Sequence, residues 1–168
     1  MNPMRDIRID KVTLNIGVGE GGEKLQNSSA LLDKISGKKA VRTMARVRNP
    51  VFKIKKGDPI GTKVTVRKKD AEELLKKALE AVDKKVGSGA FDREGNFSFG
   101  IKEYIDFPGA KYDPKLGIIG FDVCVTLKRR GERVARRRRA RGIIGSKHRI
   151  TREEGMEFAK AVLGVEIV

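Results

Sequence analysis

The chain has 168 residues, 39% hydrophobic and 36% charged, with 38 Lys/Arg against 22 Asp/Glu and a formal net charge of +16. That is enough for one core built mostly from Val, Ile, Leu and Ala, and the basic excess points to a polyanionic partner. The single Cys excludes an intramolecular disulfide and a Cys-based zinc site, and no apolar run approaches the ~20 residues of a membrane span.

The opening MNPMRDIRID has no apolar signal region, so the expected setting is soluble and intracellular, with no membrane partner. Val12, Leu14, Ile16 and Val18 then alternate with Lys11, Thr13, Asn15 and Gly17. Period two predicts a strand with one face buried. Gly17-Val18-Gly19-Glu20-Gly21-Gly22 follows, ahead of a helix with Leu25, Leu32 and Ile35 on one face. This spells G-x-G-x-x-G in the context of a dinucleotide fingerprint. The second strand, expected over Ala40 to Arg48, carries Arg42, Arg46 and Arg48 where that fingerprint wants a ribose-binding acid. An Arg there suits a 2′-phosphate, so an NADP-type enzyme using the Gly17–Gly22 turn is the alternative reading. Against it, no further βαβ unit follows. The plainer reading is a Gly-rich turn whose backbone N–H groups can meet a phosphate.

On that second strand Val41, Thr43, Ala45 and Val47 are expected to face inward. The three Arg would then form a comb with a spacing of about 6.6 Å, near the phosphate repeat of a nucleic-acid strand. After Asn49-Pro50, Phe52 and Ile54 alternate with Lys53 and Lys55, and Lys56-Gly57-Asp58-Pro59 is a turn signal. Phe52 between lysines can stack on a base or join the core. Ile60, Val64 and Val66 with Lys63, Thr65 and Arg67 predict a third strand. Asp70 with Glu73 reads as a capping box opening a helix whose stripe is Ala71, Leu74, Leu75, Ala78 and Val82.

Phe97, Phe99 and Ile101 predict another strand, Asp106 to Gly117 a loop, and Ile119, Phe121, Val123, Val125 and Leu127 the longest alternation. Cys124 falls on the other face of that last strand and reads as inert. The stretch from Lys128 to Arg152 holds twelve Lys/Arg and one acid, Glu132. Such a run repels itself and calls for a polyanion. Thr151-Arg-Glu-Glu154 reads as a second capping box, opening a C-terminal helix over 152–163, so the basic run is a loop (128–150) pinned at both ends and not a free tail. His148, the only His, has no second His or Cys beside it; metal ligation and triad catalysis are not expected. Strands joined by turns, interleaved with helices, predict an α+β class: one two-layer domain over 1–168, a mostly antiparallel sheet with helices packed on one face and the other face free for RNA.

Several stretches together resemble one family, large-subunit ribosomal protein five: LNIGVGE (14–20), ISGKKAVRT (35–43), FKIKKGDPIGTKVTVR (52–67), FDREGNFSFGIKEYIDFP (91–108) and GFDV (120–123). GIIGSKHRIT resembles its archaeal and eukaryotic branch. The resemblance implies a non-catalytic role without cofactor or metal in the cytoplasmic ribosome, attaching 5S rRNA in the central protuberance. It also implies contacts with large-subunit rRNA, with P-site tRNA, with neighbouring large-subunit proteins and with small-subunit head protein thirteen across the inter-subunit bridge. Carried onto matching positions, the 5S contact falls on Asn15, Lys38, Phe52 and Thr65, with Lys39, Lys53, Lys55 and Arg67 beside them. The family usually has Gln where this chain has Lys38, which exchanges an amide able to donate and accept for a donor-only cation. The tRNA-facing loop matches 45–51, giving Arg46 and Arg48 with Arg42 nearby. The basic loop is expected to meet other rRNA through Arg129, Arg130, Arg136, Arg137, Arg138, Arg139, Arg141, Lys147, His148 and Arg149.

Overall fold

Phase sets the course of the first strand. Ile7 and Ile9 sit on odd positions and Val12, Leu14 and Ile16 on even ones, yet all five pack on the same core. In this computed structural model, which describes residues 2–19, 21–110 and 112–168, they form one strand, β1 (Ile7–Gly17). Its pairing slips between Ile9 and Lys11, leaving Asp10 as the extra residue of a bulge. Without it, a one-residue slip would turn one apolar set to solvent.

The chain continues as α1 (Glu23–Ser36), β2 (Val41–Met44), β3 (Pro59–Val66), α2 (Lys69–Glu80), β4 (Lys85–Val86), β5 (Phe97–Ile101), β6 (Phe121–Arg129), α3 (Arg133–Arg136), α4 (Arg152–Leu163) and β7 (Glu166–Ile167). The main sheet runs β2-β3-β1-β6-β5, and each neighbouring pair is antiparallel. A small parallel pair, β4-β7, ties the C-terminus to the end of α2. The inward rows of the main sheet are Val12, Leu14, Val64, Val66, Val123 and Val125, covered by Leu31 and Leu32 of α1 and Leu74, Leu75 and Leu79 of α2. This is the α+β two-layer arrangement expected. With no parallel neighbours in the sheet, the Gly17–Gly22 turn does not open a dinucleotide-binding βαβ unit. Glu20 of that turn, and Lys111 of the 106–117 loop, lie outside the described residues.

Three local expectations are corrected. The second strand does not span Ala40 to Arg48: β2 stops at Met44, and Val41 (60% exposed) and Val47 (75% exposed) do not face a core. β2 is an edge strand bonded only to β3 and slips out of register after Thr43, so nothing covers its continuation. Asp70 does not cap α2. Lys68, at φ 64°, precedes the helix, and Asp70 lies in its first turn with its carboxylate 2.6 Å from Lys38. Val82 follows α2 and does not extend its stripe; Leu79 is buried there instead. The second capping box forms as read: Thr151 Oγ1 accepts from Glu154 N–H, and the Glu154 side chain accepts from Thr151 N–H at 3.0 Å. α4 is seated where Gly155 meets Gly95. A Cβ at Gly155 would stand 2.5 Å from the Gly95 carbonyl oxygen, so only glycine fits.

Candidate nucleic-acid interface

Antiparallel register fixes which polar residues share the outer face. Thr13 lies opposite Thr65 and Cys124, and Asn15 opposite Lys63 and Asp122. Asn15 and Thr65 are thus diagonal neighbours on one face, about 7–8 Å apart. Lys63, Thr65, Asp122, Cys124 and Ser98 are exposed along these rows, while Thr13 and Asn15 are half-buried. The Cys124 thiol is pushed up from its ordinary pKa by burial and by the Asp122 carboxylate, which keeps it protonated.

Beyond the Gly17 end of β1, the chain from Ala45 to Asp58 makes a backbone-bonded excursion. Ala45 N donates to Asp58 O (2.8 Å), Gly57 N to Ala45 O (2.9 Å), and Asn49 and Ile54 exchange bonds of 2.9 and 3.0 Å. The Asn49 side chain accepts from Val51 N–H and shapes the tip. Arg46, Arg48, Val51, Phe52, Lys53 and Lys55 all project into solvent, with Phe52 70% exposed. Phe52 therefore stands among the cations and not in the core. Arg46 and Arg48 do not continue the row of Arg42, since the strand ends before them. Among the described residues none of these cations meets a carboxylate. Lys39 is exposed after α1, and Lys38, half-buried, is engaged by Asp70.

The opposite end of β1 is built differently. Asp10, thrust out by the bulge, is 4% exposed and receives Arg136 Nη1 at 2.8 Å, Arg67 Nη1 at 3.3 Å and Lys128 Nζ. Burial pushes its carboxyl up, but the bonds and charges of Arg136 and Lys128 prevail and hold its pKa down to about 2. The same pairing, Asp10 first, raises Arg136 above its ordinary value. Arg136 also reaches Glu132 at 2.6 Å. Arg129 was expected on the RNA; it is a correction. Its side chain is 7% exposed. It points inward at the end of β6, donating to Glu154 Oε1 (2.6 Å) and to Arg149 O (3.3 Å). The Thr151 N–H and then Arg129 lower the Glu154 pKa. Arg130, Arg137, Arg138, Arg139, Arg141, Lys147 and Arg149 remain exposed, and His148 is half-buried with its Nε2 2.8 Å from Arg130 O. Arg137 and Arg141 spend their Nε–H groups on the carbonyls of Ala140 and Ala135.

Two cationic surfaces therefore stand at opposite ends of an 11-residue strand, roughly 35 Å apart, joined by the polar sheet face. They cannot share one small ligand; together they suit an extended polyanion or two separate ones. Sequence reasoning missed Asp10 and Glu154 as the groups that hold the second surface. The phase change across Asp10 was the available signal.

Two family models match the chain in succession: ribosomal protein L5 over residues 2–55 and the ribosomal L5 family C-terminus over residues 59–158. Among similar proteins is the large ribosomal subunit protein uL5 of Sulfurisphaera tokodaii, 51% identical, covering 100% of this chain and 96% of that protein. The uL5 of Nanoarchaeum equitans is 52% identical over 99% of each chain. That of Methanococcus aeolicus is 46% identical over 98% of this chain and 93% of its own. Matched by both models in order and by archaeal uL5 proteins along its whole length, the chain belongs to the ribosomal protein L5 family.

Proposed function

We propose that this chain, a non-enzymatic constituent of the large subunit of the cytoplasmic ribosome, holds 5S rRNA in the central protuberance. In this reading 5S rRNA lies on the outer sheet face and its Gly17 end. Asn15 and Thr65 bond bases or 2′-hydroxyls, Phe52 packs on a base or the backbone, and Lys39, Lys53 and Lys55 neutralise phosphates. Arg46 and Arg48, with Arg42 behind them, face P-site tRNA. The exposed cations of 130–149 bind large-subunit rRNA, and the remaining surface meets neighbouring large-subunit proteins and small-subunit head protein thirteen. The observation that carries this is the juxtaposition of Asn15 and Thr65 on an uncovered polar face, beside an exposed Phe52 ringed by unpaired cations. A Lys38 already bonded to Asp70 contributes less than its position implies.

The test is a salt titration of 5S rRNA binding by the Asn15→Ala/Thr65→Ala double variant. Affinity should fall about tenfold or more at every salt concentration, with the slope of log K against log[salt] unchanged, because neither residue carries charge. Unchanged affinity, or a drop in slope like that of an arginine variant, would remove these two residues from the contact.

A further inference from the structure

The basic segment does more than display charge. Between the end of β6 and the returning chain it encloses a cavity of about 630 Å³, within the range of ligand sites. Leu127, Ile143, Ile144 and Ile150 give it apolar walls. Two polar atoms at its lining residues are buried without a partner among the described residues: Arg129 Nε and Glu132 Oε2. The other polar atoms of both side chains are used, Arg129 by Glu154 and Arg149, Glu132 by Arg136. What remains is one donor-only and one acceptor-only atom in an otherwise greasy enclosure. Lys128, Arg141 and Arg149 stand at its edge.

That combination selects a chemistry. A bare anion suits the rim but has no N–H for Glu132, and it meets the carboxylates of Glu132 and Glu94. An apolar side chain suits the walls and leaves both polar atoms stranded. A nucleobase offers N–H donors and ring or carbonyl acceptors along one rigid edge, two apolar faces, and a phosphate outside. The cover is irregular backbone from Gly142 to Gly145, latched by Gly142 N–H on Val134 O at 3.1 Å, with Ile143 turned to solvent. A glycine at each end lets this stretch shift to admit a flat ring.

We propose that this cavity is a site for one unstacked nucleotide of RNA, its base enclosed against Ile143 and Ile144 and its phosphate held on the cationic rim. The proposal rests on the RNA-binding reading above and adds to it a site that recognises an unpaired base. The probe is an RNA hairpin with a single bulged 2-aminopurine, compared with the same hairpin fully paired, each titrated with the full chain. The bulged form should bind about tenfold tighter, and 2-aminopurine emission should rise as the base leaves the stack. Filling the cavity with Ile144→Trp should bring the ratio of the two affinities to near one; if that variant does not fold by circular dichroism, Glu132→Ala takes its place. Equal binding of both hairpins overturns the proposal and leaves RNA binding standing, whereas binding of neither removes the RNA reading too. A ratio that survives both substitutions places the base elsewhere. Loss of the ratio in millimolar inorganic phosphate means a plain anion site, and either result also overturns the proposal.

Discussion

At the Gly17 end of β1, Arg46, Arg48, Lys53 and Lys55 stand on a backbone-bonded excursion with no carboxylate on any of them. At the Ile7 end, Lys128 and Arg136 converge on Asp10, and Arg129 is buried on Glu154. The first end keeps its cations unpaired and its apolar side chains wet, so it orders and desolvates only when a partner arrives. The second settles part of that at folding: a few of its cations are sacrificed as anchors, and the rest are held in place around a cavity. A basic run read from sequence alone does not distinguish cations that bind from cations that brace.

The largest way to break the contrast is at the Gly95–Gly155 seam. Gly155→Ala should cost about 3 kcal/mol, because its Cβ would strike backbone and no side chain can yield. Urea unfolding would register the loss. Hydrogen exchange should rise across α4 and the 130–149 segment and remain as it was in the 45–58 excursion.

Asp10→Asn comes next. It keeps the shape of the bulge and removes the charge that gathers three cations, so about 2 kcal/mol should be lost, with faster exchange in α3. The partners are half exposed and can take up water, which keeps the cost below that of stranding a buried ion. Stability equal to the parent chain would mean that the clamp is ornamental.

The same carboxylate sets a pH dependence. Its folded pKa, about 2, lies below the ordinary 3.8. The folded state thus holds its proton less tightly than the unfolded one, and the stabilisation is fully present above pH 4. It is lost as pH falls from about 4 through about 2, amounting to ~2 kcal/mol. Thermal melts of the parent chain should show this loss, and Asn at position 10 should abolish that part of it.

The smallest stability effect belongs to the free end. Arg46→Ala/Arg48→Ala should change unfolding free energy by less than about 0.5 kcal/mol and reduce the salt slope of RNA binding by about one to two. In the proposed division of labour it weakens tRNA contact and spares 5S rRNA. Equal loss of both would merge the two surfaces into one.

Most of the sheet was legible because its strands carry an unbroken period of two with something to cover them. Val12 to Ile16, Val64 and Val66, and Phe121 to Leu127 are buried as their alternation implies. Val41 and Val47 show the same period and are exposed, since periodicity records which residues share a side and not whether that side is covered. Asp70 has the right spacing for a cap, yet Lys68 turns the chain at positive φ and moves the boundary upstream. The charge of the basic segment was evident; its wiring was not, because Asp10 lies far from it in sequence and reaches it only through the pairing of β1 with β6. The positions of Asn15 and Thr65 on one face follow from register, which two isolated strands do not reveal.

Cys124 gives the molecule a built-in optical handle. It is the sole thiol of the chain, exposed on β6 opposite Thr13, one row from Asn15. Held protonated, it resists stray oxidation and reacts slowly with maleimides at neutral pH. A fluorophore placed there occupies a single defined position, and the rate at which the bare thiol accepts it becomes a clock for whether the outer face is open or covered.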